Sequence, residues 1–230
     1  MTKEVLIQIA GLEKSYFSSG IETRVLKHID LEIYRGEFVS IIGPSGAGKS
    51  TLLYQMSLLD RPTKGRITIN DQVVSKYSET KSTLFRLNNC GYVFQDYALI
   101  PDLSAAENVM MPYLMRGHSK EEAYAKALEI LTQLELAHVA GNLPNQLSGG
   151  QQQRVSVARA VVHEPVVLFA DEPTASLDTE RSREVLDLFE SLNKKGQTII
   201  MVTHELEFAR RADRIIEIVD GQVHKDEYIP

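Results

Sequence analysis

Gly43-Pro44-Ser45-Gly46-Ala47-Gly48-Lys49-Ser50-Thr51 is the stretch on which the reading of this chain turns. It follows an apolar run, Phe38-Val39-Ser40-Ile41-Ile42, and leads into helix-compatible sequence from Lys49. Strand, glycine-rich loop, helix is the context in which the pattern G-x-x-x-x-G-K-[ST] carries a mechanism. Gly43, Gly46 and Gly48 can take dihedrals closed to other residues, which lets backbone N–H groups curl around phosphate oxygens. The helix that begins near Lys49 points its positive dipole end at the same phosphates. Lys49 is expected on the β- and γ-phosphates and the Ser50 hydroxyl on Mg²⁺. A nucleoside triphosphate is therefore the expected ligand, cradled by residues 43–51.

The rest of the composition narrows the classes. The 230 residues suffice for one sizeable core, and 43% hydrophobic with 24% charged residues is ordinary for a soluble globular chain. A formal charge of −6 and no basic run argue against non-specific binding to nucleic acid. The single cysteine, Cys90, excludes an internal disulfide framework, suits a reducing cytosol, and is expected to be a small buried residue. The N-terminus shows no apolar signal region, and no apolar run approaches the ~20 residues that span a bilayer. Any dealings with a membrane are expected to run through a partner.

Patterning gives strands at residues 5–10, 29–33 and 38–42, the last two around the turn Tyr34-Arg35-Gly36-Glu37. Further strands are expected at 66–70, 92–94, 166–170, 198–203 and a final one at 214–219. Helices are expected at 49–58, 120–134, 150–163, 179–195 and 205–211; Ser119 with Glu122 forms a capping box for the second. Strands alternating with helices around a phosphate loop predict an α/β fold with a mostly parallel core sheet and antiparallel N-terminal strands. Residues 84–162 are strand-poor and read as a helical subdomain inserted into a core of about 1–83 and 163–230, one domain overall.

Two further constellations carry chemistry. Val166-Val167-Leu168-Phe169-Ala170 is an apolar run without alternation, typical of a strand buried on both faces, and it ends in Asp171-Glu172. That puts carboxylates at the carboxyl edge of the sheet, where ligands bind. Asp171 is expected to hold Mg²⁺, and Glu172 to polarise the attacking water as general base. Leu147-Ser148-Gly149-Gly150-Gln151 is a second capped, glycine-rich helix start able to bind an anion. A plain capped helix explains it equally well on these residues alone. A symmetric dimer in which each such loop completes the other subunit's site would explain why one nucleotide needs two loops.

Taken in order, residues 43–51, Gln95, residues 147–151, Asp171-Glu172, Ser176-Leu177-Asp178 and His204 resemble the ATP-binding cassette (ABC) transporter ATPases over nearly the whole chain. The resemblance implies an ATPase in which two copies sandwich two ATP molecules. It implies Tyr16, with Phe17 as rival, stacking on adenine. Gln95 would touch Mg²⁺ and the attacking water and couple the core to the helical subdomain. Ser148, Gly149, Gly150 and Gln151 would face the γ-phosphate held by the other subunit, and Asp178 would cross the interface. His204 would hydrogen-bond the γ-phosphate and hold the geometry of Glu172 and water. The apolar Ala170 before Asp171 is a mild departure that does not touch hydrolysis.

Within the family, an extended loop at 17–24, the stretch 99–112 after Gln95, and Gln151-Gln152-Gln153-Arg154 resemble the lipoprotein-releasing and macrolide-exporter type. This implies an integral-membrane permease partner docking near residues 95–116, and a peripheral place on the cytoplasmic face of the inner membrane. The runner-up is a regulatory cassette that gates a cell-wall or division complex and moves no substrate. A DNA-repair or translation ATPase of the superfamily would carry long coiled-coil insertions or tandem cassettes, which this chain lacks.

Overall fold

The structure, a computed structural model, describes residues 4–229; residues 1–3 and Pro230 lie outside them. β1 (Val5–Ser18) and β2 (Ile21–Tyr34) form one long antiparallel hairpin. Its turn residues Ser19 and Gly20 have φ of 50° and 80°, the left-handed pair that lets a two-residue turn match strand twist. The first strand thus runs well past residue 10, and 17–24 is the hairpin tip rather than an extended loop. Phe17 there pairs with Glu22 and Ser18 with Ile21. β3 (Phe38–Ile42) is no partner of β2: the turn closed by the Glu37 N–H on the Tyr34 carbonyl carries the chain into a second sheet. α1 (Lys49–Met56) follows, then β4 (Lys64–Ile69) and β5 (Gln72–Val73), which complete an antiparallel sheet of order β2-β1-β4-β5.

α2 (Glu79–Asn89) and β6 (Cys90–Val93) precede α3 (Ala105–Met115), α4 (Lys120–Gln133) and α5 (Gly149–Val161). β7 (Val167–Asp171), α6 (Thr179–Lys194), β8 (Thr198–Val202), α7 (Leu206–Ala209), β9 (Arg214–Val219) and β10 (Gln222–Tyr228) finish the chain. The second sheet runs β10-β9-β3-β8-β7-β6, parallel throughout except for β10. β6 lies inside the strand-poor range 84–162 yet pairs with β7 in this sheet, so the helical insertion α3–α5 starts beyond it. The final strand by sequence, β9, gains an unforeseen neighbour. β10 is an exposed, charged edge strand with no apolar run to announce it, entered through Asp220 and Gly221 at positive φ. The buried Arg214 holds it through Asp226 while also pairing with the buried Glu37.

Successive residues of the central strands point to opposite faces, and each face has its own core. Leu168, Ala170, Ile199 and Met201 pack with Val109, Leu131, Val157 and Phe189 on the helical side. Val167, Phe169, Ile200 and Val202 pack with Ile7, Leu12, Leu52 and Leu53 on the other. Burying each of the larger of these side chains is worth roughly 1.5–3 kcal/mol, which fixes both layers against one sheet. Gly91 sets how close α5 comes: a Cβ there would lie 2.2 Å from the Ala160 carbonyl oxygen. Gly91→Ala is expected to cost about 1–3 kcal/mol by forcing the helix away, read as a lowered thermal midpoint.

Two of the inserted helices start in capping boxes of Ser with Glu. Ser104 with Glu107 opens α3, and Ser119 with Glu122, as expected, opens α4. Backbone and hydroxyl hydrogen bonds from these serines hold the Glu107 and Glu122 carboxyls below their ordinary pKa. A depressed carboxylate lends stability that is present above its unfolded pKa and is lost as pH falls through the folded value. Glu122→Gln is therefore expected to flatten the acid limb of the stability–pH curve, measured as thermal midpoint between about pH 6 and pH 3.

Candidate functional site

The loops after β3, β7 and β8 emerge at the carboxyl edge of three adjacent parallel strands, and strand order places the β8 loop between the other two. This is where open α/β sheets bind ligands. After β3, Gly43 takes φ 144°, and a Cβ there would lie 2.0 Å from the Ile218 carbonyl oxygen of β9, so the position admits glycine alone. Gly48, at φ 100°, caps α1 with no side-chain acceptor. The free N–H groups of the first turn are thus left to a ligand. Ser45, Gly46, Gly48, Lys49, Ser50, Thr51, Glu172 and His204 line a cavity of about 350 Å³ in front of that turn.

Lys49 is buried and folds back, its Nζ donating to the carbonyl oxygens of Gly43 at 2.9 Å and Pro44 at 3.0 Å. An ammonium held only by loop carbonyls is free to exchange them for phosphate oxygens. Ser50 Oγ donates to Asp171 Oδ1 at 2.9 Å. Burial pushes the Asp171 carboxyl above its ordinary pKa, a shift offset in part by Ser50 and by the Tyr54 phenol. Tyr54 stands one helical turn beyond Ser50 and was not among the expected residues; the i, i+4 spacing is the signal that reveals it. Glu172 sits at φ 46°, its N–H bonded to the Val202 carbonyl of β8. His204 Nδ1 lies 3.3 Å from Glu172 Oε2. The structure therefore brings residues 45–51 together with Asp171, Glu172 and His204.

Tyr16 and Phe17 separate clearly. Tyr16 is 42% exposed and its hydroxyl donates to Asp60 Oδ2, whereas Phe17 is 70% exposed on the other face of the hairpin. Partial burial and Asp60 push the Tyr16 phenol up to about 12, and it lies beside Thr51. Gln95, Ser148, Gly149, Gly150, Gln151 and Asp178 do not line the cavity. Ser148 and Gln151 satisfy each other in a capping box at the start of α5. Gly150 is covered by Arg181, and Asp178 caps α6 on the Arg181 N–H and pairs with its guanidinium. They form a second patch, with Gln95 exposed on the loop beyond β6.

A phosphate loop backed by paired acids and a histidine, at the carboxyl edge of a parallel sheet, defines a phosphate-loop NTPase. The sequence profile described as ABC transporter matches residues 26–175, and the chain belongs to that family. LolD, the lipoprotein-releasing system ATP-binding protein of Bacteroides thetaiotaomicron, is 46% identical over 222 residues, covering 96% of this chain and all of that protein. The macrolide export ATP-binding/permease protein MacB of Agrobacterium fabrum is 44% identical over 97% of this chain, which spans 35% of its length. The dimeric post-hydrolysis structure of the ATP-binding cassette MJ0796, bound to ADP and Pi, superimposes with a TM-score of 0.91. It is 40% identical and matched over 98% of this chain and 99% of that one. The protein is an ATP-hydrolysing cassette subunit of an ABC transporter.

Proposed function

We propose that two copies of this chain close on two ATP molecules and drive a membrane subunit of the lipoprotein-releasing or macrolide-export type. The observation that carries the dimer is the separation of the two patches: residues 148–151 and Asp178 sit outside the chain's own cavity. A second copy, placed head to tail, brings each copy's signature patch, residues 148–151 with Asp178, to the other's triphosphate. Tyr16 beside Thr51 receives adenine. Lys49 leaves the Gly43 and Pro44 carbonyls for the β- and γ-phosphates. Glu172 accepts the proton of the attacking water, oriented by His204, and Gln95 completes the water's environment. Ser50 Oγ and Asp171 Oδ1, two hard oxygens with a desolvated carboxylate among them, suit a hard cation. They would hold Mg²⁺, which neutralises phosphate charge when bound. ATP is then a ligand with different affinity for open and closed pairs, and its loss reopens them.

The membrane partner is assigned to the apolar groove of about 400 Å³ beyond β6, walled by Tyr92, Phe94, Ile100, Met111 and Met115. No helix among the described residues is long and apolar enough to cross a membrane, which is consistent with peripheral attachment at the cytoplasmic face through this groove. The names of the relatives support lipoprotein release or macrolide export over a regulatory cassette. The test is the solution mass of Glu172→Gln with and without Mg-ATP. A shift from monomer to dimer supports the sandwich, and a monomer at saturating ATP rejects it. For the cargo, a reconstituted complex with its multi-span subunit should hydrolyse ATP faster with a lipidated peptide or a macrolide. Indifference to both favours the regulatory reading.

A further inference from the structure

Beyond β6 the chain makes an uncommon double turn. Tyr97 and Ala98 take φ of 57° and 49° in succession, a left-handed conformation disfavoured for any residue with a Cβ. Two such residues in a row persist only where something holds them. Their carbonyls turn to one guanidinium: Arg159 NH1 donates to the Ala98 oxygen at 2.6 Å and NH2 to the Tyr97 oxygen at 2.9 Å. Among the described residues no carboxylate pairs with Arg159, and burial pushes its pKa down. The two carbonyls are thus what offsets its charge. A second tether follows, because the buried Asn108 of α3 bonds Ile100 through both amide atoms and donates to the Leu103 and Ser104 carbonyls. Gln95 and Asp96 are left exposed between the end of β6 and the first tether.

We propose that Arg159 is the positioning residue for Gln95, gripping the left-handed pair Tyr97–Ala98 so that the Gln95 loop moves with α5. The inference rests on the role given to Gln95 above. α5 touches this segment twice. Arg159 holds it from the third turn of the helix, and at the first turn a Cβ on Gly149 would lie 3.1 Å from the Tyr97 hydroxyl. The signature start of α5 and the Gln95 loop are therefore one mechanical piece. When the signature patch swings toward a second copy's nucleotide, Gln95 is carried with it. Ala98 and Arg159 also line the groove assigned to the membrane partner, so pressure there reaches Gln95 through the same grip. The planar fork of Arg meets two carbonyls at once, which the point charge of Lys does not.

Arg159→Lys is expected to lower kcat for ATP by roughly tenfold or more, since small misplacements near a reacting centre cost that much, while KM stays within about twofold. Adding Ala98→Gly should recover most of that loss, because glycine holds the left-handed conformation without the grip. A residue that merely packs α5 would lose stability and gain nothing from a glycine 61 positions away. Ala98→Val, which strains the same turn with Arg159 intact, should reproduce the fall in kcat; this keeps the test alive if Arg159→Lys folds poorly. Amide exchange over residues 95–98 in the nucleotide-free protein should quicken in Arg159→Lys and slow again with Ala98→Gly, whether or not the sample hydrolyses ATP. Unchanged exchange, or a loss of kcat that glycine does not restore, overturns the proposal. Unaltered kcat in Gln95→Ala, with exchange in Arg159→Lys behaving as expected, would instead overturn the role given to Gln95.

Discussion

Glu172→Gln binds ATP as tightly as the unaltered protein and hydrolyses it slower by orders of magnitude, leaving a closed pair that can be isolated. The substitution keeps the side chain's shape. It also keeps the backbone that matters, since the left-handed turn at residue 172 is fixed by its N–H bond to the Val202 carbonyl. What disappears is the proposed base. General-base catalysis contributes about 10²–10⁴ in rate, and an amide oxygen cannot take a proton from water at neutral pH. His204, 3.3 Å from that carboxylate, loses its partner as well, so the loss should sit at the upper end of that range. Lys49, Ser50 and Asp171 are untouched, so affinity holds. With the γ-phosphate uncut, the contacts that close the pair persist. Phosphate release together with equilibrium binding of a fluorescent nucleotide checks the split, and turnover at the unaltered rate would remove Glu172 from the role of base.

Lys49→Ala fails one step earlier. Its ammonium is buried against the loop and bonds two carbonyls at 2.9 and 3.0 Å. It is therefore held at the loop with only neutral hydrogen-bond partners to release. Charge-assisted hydrogen bonds are worth about 1.5–3 kcal/mol each, so deleting this group should raise the Kd for ATP by roughly one to two orders of magnitude or more. The fold should survive, because the Gly43 turn is enforced by Ile218 rather than by the lysine. Circular dichroism and nucleotide titration check both halves. Unchanged affinity would mean that the N–H groups at the start of α1 carry the phosphates alone.

The site divides unevenly between what the sequence announces and what it hides. Residues 43–51 are legible because phosphate binding is local: glycines at fixed spacing, one lysine and one hydroxyl act within a single turn. The capping box at Ser119–Glu122 is legible for the same reason. The hairpin tip at 17–24 was readable in principle from Ser19-Gly20, yet its strand residues alternate too weakly to show it. β10 could not be seen, because an exposed edge strand has no buried face to impose a period and is held by Arg214, which contacts it across the turn. Tyr54 lay within reach of helical spacing; Arg159 did not, since its partners Tyr97 and Ala98 stand 62 and 61 residues away.

By itself, then, the sequence determined the ligand class, the order of the chemical groups along the chain and the parallel character of the core, all of which depend on residue type at short range. Only the tertiary structure decided which groups meet. Strand order put the β8 loop between those of β3 and β7, bringing His204 to Glu172, and it left residues 148–151 and Asp178 on a separate patch. It also turned an unremarked arginine toward two strained carbonyls. Those outcomes follow from how sheet and helices pack on their two cores, a long-range balance of burial and register that no local pattern of residues encodes.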